Sequence, residues 1–225
     1  MSGRGAILSK IGKQLSSAQA ESDRKAAVAR RLSSPSSGVI PERGKIPLAD
    51  RTDLFCEKAN AVQATTARVT STEDVAEAVA DYLRSRNLPQ SVRHGEDQRL
   101  ESIDWSRTPS LTRSTGPSDG DDPVGLSHAM AGVAETGTLV LTSGQDNPTT
   151  LNFLPENHIV VINAYDIAGD YETVLRDARR SDGTLPRTVN MITGPSRSGD
   201  IEQTLLLGAH GPRSLHIIVV EGEEA

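Results

Sequence analysis

Apolar side chains recur at helical spacing near the start of the chain. Ile7, Ile11 and Leu15 lie four residues apart, which predicts an amphipathic helix from about Arg4 to Ser16. A second helical pattern runs from about Glu21 to Leu32.

Serine, proline and glycine interrupt this periodicity over residues 33–38, which is typical of a linker. We therefore divide the chain into an N-terminal helical arm with its linker, residues 1–45, and an α/β domain, residues 46–225. Residues 1–50 carry nine Lys/Arg and four Asp/Glu, a net charge of +5. The arm is either a solvated extension or a surface that docks onto an acidic partner.

Helical and strand patterns alternate in the next part of the chain. A helix is predicted from Pro47 to about Val62, and a β-branched strand from Thr65 to Val69. Thr72 is a suitable N-cap for the following helix. Another strand is predicted at Ser91–Arg93, whereas residues 95–123 are rich in turn residues and predict loops.

From Val124 onward, apolar runs alternate more sharply with helical patterns. The predicted elements are two short strands joined by a tight connection at Glu135–Gly137, a buried strand at His158–Ile162, a helix at Asp170–Arg180, a strand at Val189–Thr193, a helix at Ile201–Leu207 and a strand at Leu215–Val220. This alternation predicts an α/β fold: a three-layer αβα, Rossmann-like sandwich with a mostly parallel sheet. The helical arm is an extension of it.

A Gly/Ser-rich turn, Gly194–Glu202, connects a predicted strand to a predicted helix. This succession aims backbone N–H groups at one point beyond the strand end, where open α/β sheets bind ligands. Ser196 and Arg197 are suited to hold a phosphate or carboxylate there. Alternatively, Ser198 is an ordinary N-cap and the turn binds nothing.

Three further polar residues belong to the same region. Asp200 and Glu202 complement the dipole of the predicted helix, but they oppose a strongly anionic ligand unless they point away. They are equally suited to bind a metal or a ligand hydroxyl. His210 follows this helix and is either a partner of its dipole or a catalytic group.

Glu135 is the most suggestive single residue for catalysis. It stands between small residues, where backbone approaches a ligand closely, and a carboxylate there serves as nucleophile, general base or hydrogen-bond acceptor. The alternative is a turn carboxylate held by neighbouring N–H groups. His128 and His158 lack a carboxylate or cysteine at metal-ligand spacing, so we interpret both as structural and predict no metal site.

Composition narrows the function classes. The net charge of −6 argues against a general nucleic-acid binder. The single cysteine, Cys56, rules out an internal disulfide and a cysteine-ligated cluster built by this chain alone. No apolar run approaches the roughly 18 residues of a membrane span. We expect a cytoplasmic protein.

Two motifs resemble the lactate-utilisation protein C family (LutC/YkgG). The first is Ala134–Leu141, and the second is Gly194–Glu202 followed by His210–Pro212. The intervening segment Asn147–Pro155 is similar to one branch of that family. The resemblance is dense from about Val124 to Val220, some two-fifths of the chain.

This resemblance implies a fold similar to the NagB/RpiA/CoA-transferase superfamily. It also implies a role in oxidation of L-lactate to pyruvate, together with two partner proteins, one of which carries iron–sulfur clusters. The lone cysteine fits that division of labour, and the resemblance names no cofactor for this chain. The alternative is a stand-alone superfamily enzyme acting on a phosphosugar, a CoA thioester or a folate.

The superfamily analogy also bears on individual residues. CoA-transferases of the superfamily use a glutamate nucleophile, a role that reaches Glu135 only by analogy of fold. Relatives often have an acidic residue within the segment that reads Ser127–Met130 here, and its absence weakens any two-carboxylate mechanism. The residues predicted to bind a small anionic ligand are Thr136, Gly137, Thr138, Gly194, Pro195, Ser196, Arg197, Ser198, Asp200, Glu202 and His210. We expect the segments around residues 135 and 196 to share one pocket.

Overall fold

The computed structural model describes residues 3–15, 18–34, 38–178, 186–199 and 206–222. The chain separates into two units, Met1–Val39 and Ile40–Ala225. Residues 40–45, which the sequence analysis places in the arm, belong to the second unit: Gly44 is buried, and a Cβ placed on it would lie 3.1 Å from the Gly169 carbonyl oxygen.

The described elements are as follows. The α-helices are α1 Gly3–Leu15, α2 Ala18–Ser33, α3 Leu48–Ala61, α4 Val75–Ser85, α5 Gln98–Glu101 and α6 Tyr171–Asp177. The strands are β1 Thr65–Val69, β2 Ser91–His94, β3 Thr112–Thr115, β4 Val124–His128, β5 Ala131–Val133, β6 Thr138–Thr142, β7 Asn157–Asn163, β8 Ile167–Ala168, β9 Val189–Ile192, β10 Arg197–Ser198, β11 Leu206–Leu207 and β12 Ser214–Val220. Short 3₁₀ helices are Glu42–Gly44, Thr72–Asp74, Trp105–Arg107, Thr149–Asn152 and Ala164–Asp166.

The first unit consists of α1 and α2, as the helical spacing predicts. Helix α1 buries no residue, and Ile7 and Ile11 on its apolar stripe are 61% and 48% exposed. Glu21 and Lys25 form an i,i+4 ion pair on α2, which stabilises an exposed helix by a few tenths of a kcal/mol. None of the described helices has the length and apolar character of a membrane crossing.

A six-stranded parallel sheet organises the second unit, in the order β1-β12-β7-β4-β2-β3. Its central strands, β7 and β12, carry the apolar runs Ile159–Ile162 and Ile217–Val220, which need cover on both faces. Along β7, Val160 and Ile162 pack with Phe55 of α3. Ile159 and Val161 pack on the opposite face with α4. This alternation produces the predicted three-layer sandwich.

A second, four-stranded sheet has the order β8-β5-β6-β9. Strands β5 and β6 are the two short strands predicted with a tight connection, and they pair antiparallel. Strand β9 was expected in the parallel sheet, and this was wrong: it pairs antiparallel with β6, with Ile192 opposite Leu139. Met191 is 44% exposed, so β9 covers the open edge of β6 and does not enter the doubly covered sheet.

Two local predictions also need correction. Leu206 and Leu207, assigned to a helix from Ile201, instead form β11, which pairs antiparallel with β10. Residues 200–205 lie outside the described ranges. Thr72 is not a helix N-cap: it opens a 3₁₀ turn, and Asp74 directly precedes α4.

Candidate functional site

The turn after β9 is held by backbone contacts with two other segments. Gly194 has a φ of +76°, and a Cβ placed on it would lie 2.5 Å from the carbonyl oxygen of Val62, at the end of α3. Since only glycine adopts this geometry without strain, the turn requires it. Ser196 N–H donates to the Pro212 carbonyl at 2.9 Å. The guanidinium of Arg197 donates to Val62 O.

These contacts place the turn against the segment that carries His210. Together the two segments form one wall of a cavity of about 270 Å³. The residues lining it are Asn152, Phe153, His158, Met191, Ile192, Thr193, Gly194, Pro195, Ser196, Arg197, His210, Gly211, Pro212 and Leu215. Five of the predicted ligand-binding residues therefore line one cavity: Gly194, Pro195, Ser196, Arg197 and His210.

The cavity lies at the edge of the parallel sheet opposite to the one expected. His158 and Leu215 are the second residues of β7 and β12, and they face each other in the strand register. The cavity is therefore beside the amino-terminal ends of these strands, whereas the sequence argument placed the ligand beyond carboxyl ends. The reason is that β9 belongs to the smaller sheet, so the turn after it does not reach the carboxyl edge of the larger one.

Three buried polar side chains form a connected group beneath this cavity. His158 Nε2 lies 3.0 Å from Ser127 Oγ, and Ser127 Oγ lies 3.4 Å from Asn152 Oδ1. Burial lowers the pKa of His158 to about 3, so the imidazole is neutral at physiological pH. Among the described residues, His158 Nδ1 and Asn152 Nδ2 have no hydrogen-bond partner. Each such atom costs about 1–3 kcal/mol.

Glu135 lies away from the cavity. It follows β5 and is 5% exposed, and its backbone N–H donates to the Gly169 carbonyl at 3.2 Å. Its carboxylate Oε2 is 2.9 Å from Arg43 Nε. That approach lacks hydrogen-bond geometry, since Oε2 has no hydrogen-bond partner in the described part of the chain. Glu135 is not among the residues that line the cavity, and its catalytic role stays a prediction.

The residues after Glu135 do contact the turn. Thr138 Oγ1 lies 2.7 Å from Thr193 Oγ1, next to Gly194, and both Thr136 and Thr138 contact the Tyr171 hydroxyl at 3.0 and 2.7 Å. The expectation was one pocket shared by the segments around residues 135 and 196. The two segments instead meet through hydroxyl groups, and neither Thr136 nor Thr138 is among the residues that line the cavity. Of the remaining predicted residues, Ser198 is in β10 rather than at a helix N-terminus, and Asp200 and Glu202 lie outside the described residues.

The carboxyl edge of the parallel sheet carries a separate polar cluster that the sequence analysis did not identify. Arg99 donates to the Asp97 carboxylate at 2.6 and 3.0 Å and to the Ala129 carbonyl at 3.3 Å. Burial alone raises the pKa of Asp97, but hydrogen bonds from Arg99 and its charge outweigh it, so the pKa is lowered. Burial, aided by Arg99, lowers the pKa of His128 to about 4. His94 and His128 are the last residues of β2 and β4. Polar residues at the ends of these two strands are the feature of the sequence that could have indicated this cluster.

Comparison with known proteins identifies the family of this domain. The LUD domain profile matches residues 52–220. An uncharacterised protein of Neisseria meningitidis serogroup B is 30% identical over 145 residues, 61% of this chain and 61% of that protein. Lactate utilization protein C of Halalkalibacterium halodurans is 37% identical over 101 residues, 44% of each chain. That of Geobacillus kaustophilus is 34% identical over 100 residues, 43% of this chain and 42% of the relative.

A solved structure supports the fold. The crystal structure of a DUF162 family protein from Deinococcus radiodurans superposes with a TM-score of 0.57 at 20% identity. The alignment covers 78% of this chain and 99% of that one. The curated relatives, in contrast, are matched over about two-fifths to three-fifths of their length.

Proposed function

The chain belongs to the LUD domain family, and from this premise we propose that it is a subunit of a lactate-utilisation system. In this proposal it supports oxidation of L-lactate to pyruvate together with iron–sulfur partner proteins. It binds a small carboxylic acid in the cavity beside β7 and β12. The names of the relatives support the pathway, and the geometry of the cavity supports the ligand class.

The main support for the proposal is that residues from both halves of the second motif, Gly194–Glu202 and His210–Pro212, line the same cavity. Ser196 and Arg197 come from the turn after β9, and His210 comes from the segment before β12. A hydroxyl, a guanidinium and an imidazole suit recognition of a carboxylate. The volume of about 270 Å³ lies below the range of ~300–1,000 Å³ that is usual for drug-sized ligands, which favours a small acid.

Electron transfer is assigned to the partners because this chain cannot ligate a cluster by itself. Iron–sulfur clusters are held by about four thiolates, and the chain has one cysteine, Cys56, which is buried against the α3 side of the sheet. In this proposal the chain contributes a binding surface for the acid, and the partner proteins contribute the iron–sulfur clusters. No role for Glu135 is needed in this proposal.

Binding by the purified chain tests the ligand class. Isothermal titration with L-lactate and pyruvate is expected to show saturable binding of at least one of the acids, and Arg197→Gln to weaken it about tenfold or more, the loss of one charge-assisted hydrogen bond. Arg176→Gln is the matched control, since Arg176 is exposed on α6 and pairs with Asp177 outside the cavity. If neither acid binds, the proposed ligand class is contradicted.

A genetic experiment tests the pathway separately. Deletion of the gene is expected to abolish growth on L-lactate as sole carbon source while growth on pyruvate continues. Unimpaired growth on lactate, in a strain without a second copy, contradicts the proposed role. Turnover of a phosphosugar, CoA thioester or folate by the chain alone, lost in Glu135→Gln, favours the alternative of a free-standing enzyme.

A further inference from the structure

A second cavity adjoins the one assigned to the acid. Its volume is about 350 Å³, and it is lined by residues from two segments, 153–156 before β7 and 208–213 before β12. Phe153, His210 and Gly211 line both cavities, so the two spaces share a wall. The volume of the second cavity lies within the range of ~300–1,000 Å³ that is usual for small-molecule sites.

Arg213 supplies a positive charge to the second cavity. Gly208 has a φ of +80°, and a Cβ placed on it would overlap Cγ of Arg213 and lie 3.0 Å from its Cδ. The stem of the arginine therefore lies against Gly208, while its backbone N–H donates to the Glu156 carbonyl at 2.8 Å. The guanidinium has no hydrogen bond or ion pair with a described residue. A guanidinium that is positioned but unpartnered suits a phosphate or a carboxylate.

The loop between β11 and β12 offers further hydrogen-bond donors. The backbone N–H groups of Ala209, His210 and Gly211 donate to no acceptor on a described residue, and all three residues line the second cavity. Ala209 and His210 are exposed, so a ligand can reach the loop. Successive N–H groups in turns form concavities that bind anions. Together with the guanidinium of Arg213, these donors suit the three terminal oxygens of a phosphate better than the two oxygens of a carboxylate.

The segment before β7 supplies an apolar surface and a carboxylate. Phe153 and Leu154 both line the second cavity, yet they are 41% and 46% exposed. An accessible aromatic ring is a platform on which a base stacks, and such stacking stabilises binding by ~1–3 kcal/mol per base. Glu156 lines the same cavity, and a carboxylate accepts hydrogen bonds from the hydroxyl groups of a ribose. The cavity therefore combines groups suited to an aromatic base, a sugar and a phosphate.

We propose that the second cavity binds a mononucleotide. Arg213 and the N–H groups of residues 209–211 hold the phosphate, Glu156 accepts from the sugar hydroxyls, and the base stacks on Phe153. The site goes beyond the proposed function, since nucleotide binding does not depend on which acid the first cavity takes. Because the two cavities share a wall, a bound mononucleotide lies beside the acid cavity.

Isothermal titration of the full chain tests the site with two mononucleotides, adenosine monophosphate and flavin mononucleotide. The comparison probes are inorganic phosphate and the two compounds without phosphate, adenosine and riboflavin. At least one mononucleotide is expected to bind about tenfold or more tightly than inorganic phosphate and than its counterpart without phosphate, because it alone uses both the ring platform and the phosphate donors. If neither mononucleotide binds, or if neither binds more tightly than these probes, the proposal is overturned.

Substitutions at two positions separate the contributions of charge and ring. Arg213→Gln is expected to weaken mononucleotide binding about tenfold or more, the loss of a charge-assisted hydrogen bond, whereas Arg176→Gln on α6 leaves it unchanged. Phe153→Leu removes the ring and is expected to weaken binding about fivefold or more, whereas Phe153→Tyr keeps the ring and the affinity. Circular dichroism is the control for folding.

Unchanged mononucleotide affinity in Arg213→Gln overturns the proposal, as does equal affinity in Phe153→Leu and Phe153→Tyr. The titrations with L-lactate and pyruvate are separate measurements on the same chain. Failure of nucleotide binding therefore leaves the small-acid site standing, and failure of acid binding leaves the nucleotide site standing.

Discussion

A methyl group added at Gly194 is expected to destabilise the second unit and to distort the cavity. The residue has a φ of +76°, in the left-handed region, where a side chain costs roughly 1–2 kcal/mol. The new Cβ would lie 2.5 Å from Val62 O, 3.1 Å from Val62 Cγ2 and 3.2 Å from Val62 Cβ. The first of these atoms is backbone, so the contact is relieved only if the end of α3 or the turn moves.

The two effects add to a measurable loss. Forced overpacking typically costs about 1–3 kcal/mol, so Gly194→Ala is expected to lower the free energy of unfolding by about 2–5 kcal/mol. With a urea m-value of ~1–3 kcal/mol/M, the unfolding midpoint falls by about 0.7 M or more. Affinity for the small acid is expected to fall as well, because Gly194 lines the cavity and precedes Ser196 and Arg197 by two and three residues.

Gly199→Ala is the matched control, five residues away. No atom of a described residue lies within 4 Å of a Cβ placed there, and Gly199 is not among the described glycines with positive φ. It is expected to change the free energy of unfolding by less than about 1 kcal/mol, with a slight gain from reduced unfolded-state entropy. Urea unfolding monitored by circular dichroism measures both variants. A loss below about 1 kcal/mol in Gly194→Ala, or an equal loss in Gly199→Ala, refutes the steric argument.

Two further predictions concern charge. Burial lowers the pKa values of three histidines below 6.5, to about 3 or 4: His128, His158 and His216. Between about pH 6.5 and 4 these histidines bind more protons in the unfolded chain than in the folded one. The free energy of unfolding should therefore fall as the pH falls, by up to ~1.4 kcal/mol per pH unit per histidine. A urea midpoint that does not change over this range contradicts the lowering of the three pKa values by burial. In a double-mutant cycle, Arg43→Leu and Glu135→Gln should show a coupling energy of about 0.5–3 kcal/mol, and additive losses would show that the 2.9 Å contact contributes nothing.

The sequence predicts well where local pattern and tertiary burial agree. The runs Ile159–Ile162 in β7 and Ile217–Val220 in β12 are apolar at every position, and only a doubly covered strand accommodates that pattern. Helix α4 likewise buries an apolar stripe at helical spacing, formed by Val75, Val79 and Leu83. In these elements one hydrophobic period determines both the local structure and the face that packs.

The sequence predicts the structure poorly where the fold depends on which strands pair with each other. The apolar run of β9 is compatible with either sheet, and its pairing with β6, some fifty residues earlier, decides the edge at which the following turn lies. Because of this pairing, the cavity lies at the amino edge of the parallel sheet and not at the carboxyl edge, where the sequence analysis placed the site. The pairing of His158 with Ser127, 31 residues apart, is equally invisible in local spacing, so His158 was interpreted as a lone structural residue.

The C-terminal end of α3 positions both motif segments. Gly137, with a φ of +67°, approaches α3 so closely that a Cβ there would overlap the backbone nitrogen of Ala59, and Gly194 packs against Val62 in the same way. Arg197 donates to Val62 O as well. Because one helix end positions the segment after Glu135 and the wall of the cavity, a shift of that helix end moves both. Substitutions at the end of α3 should therefore change affinity for the acid although no α3 residue lines the cavity.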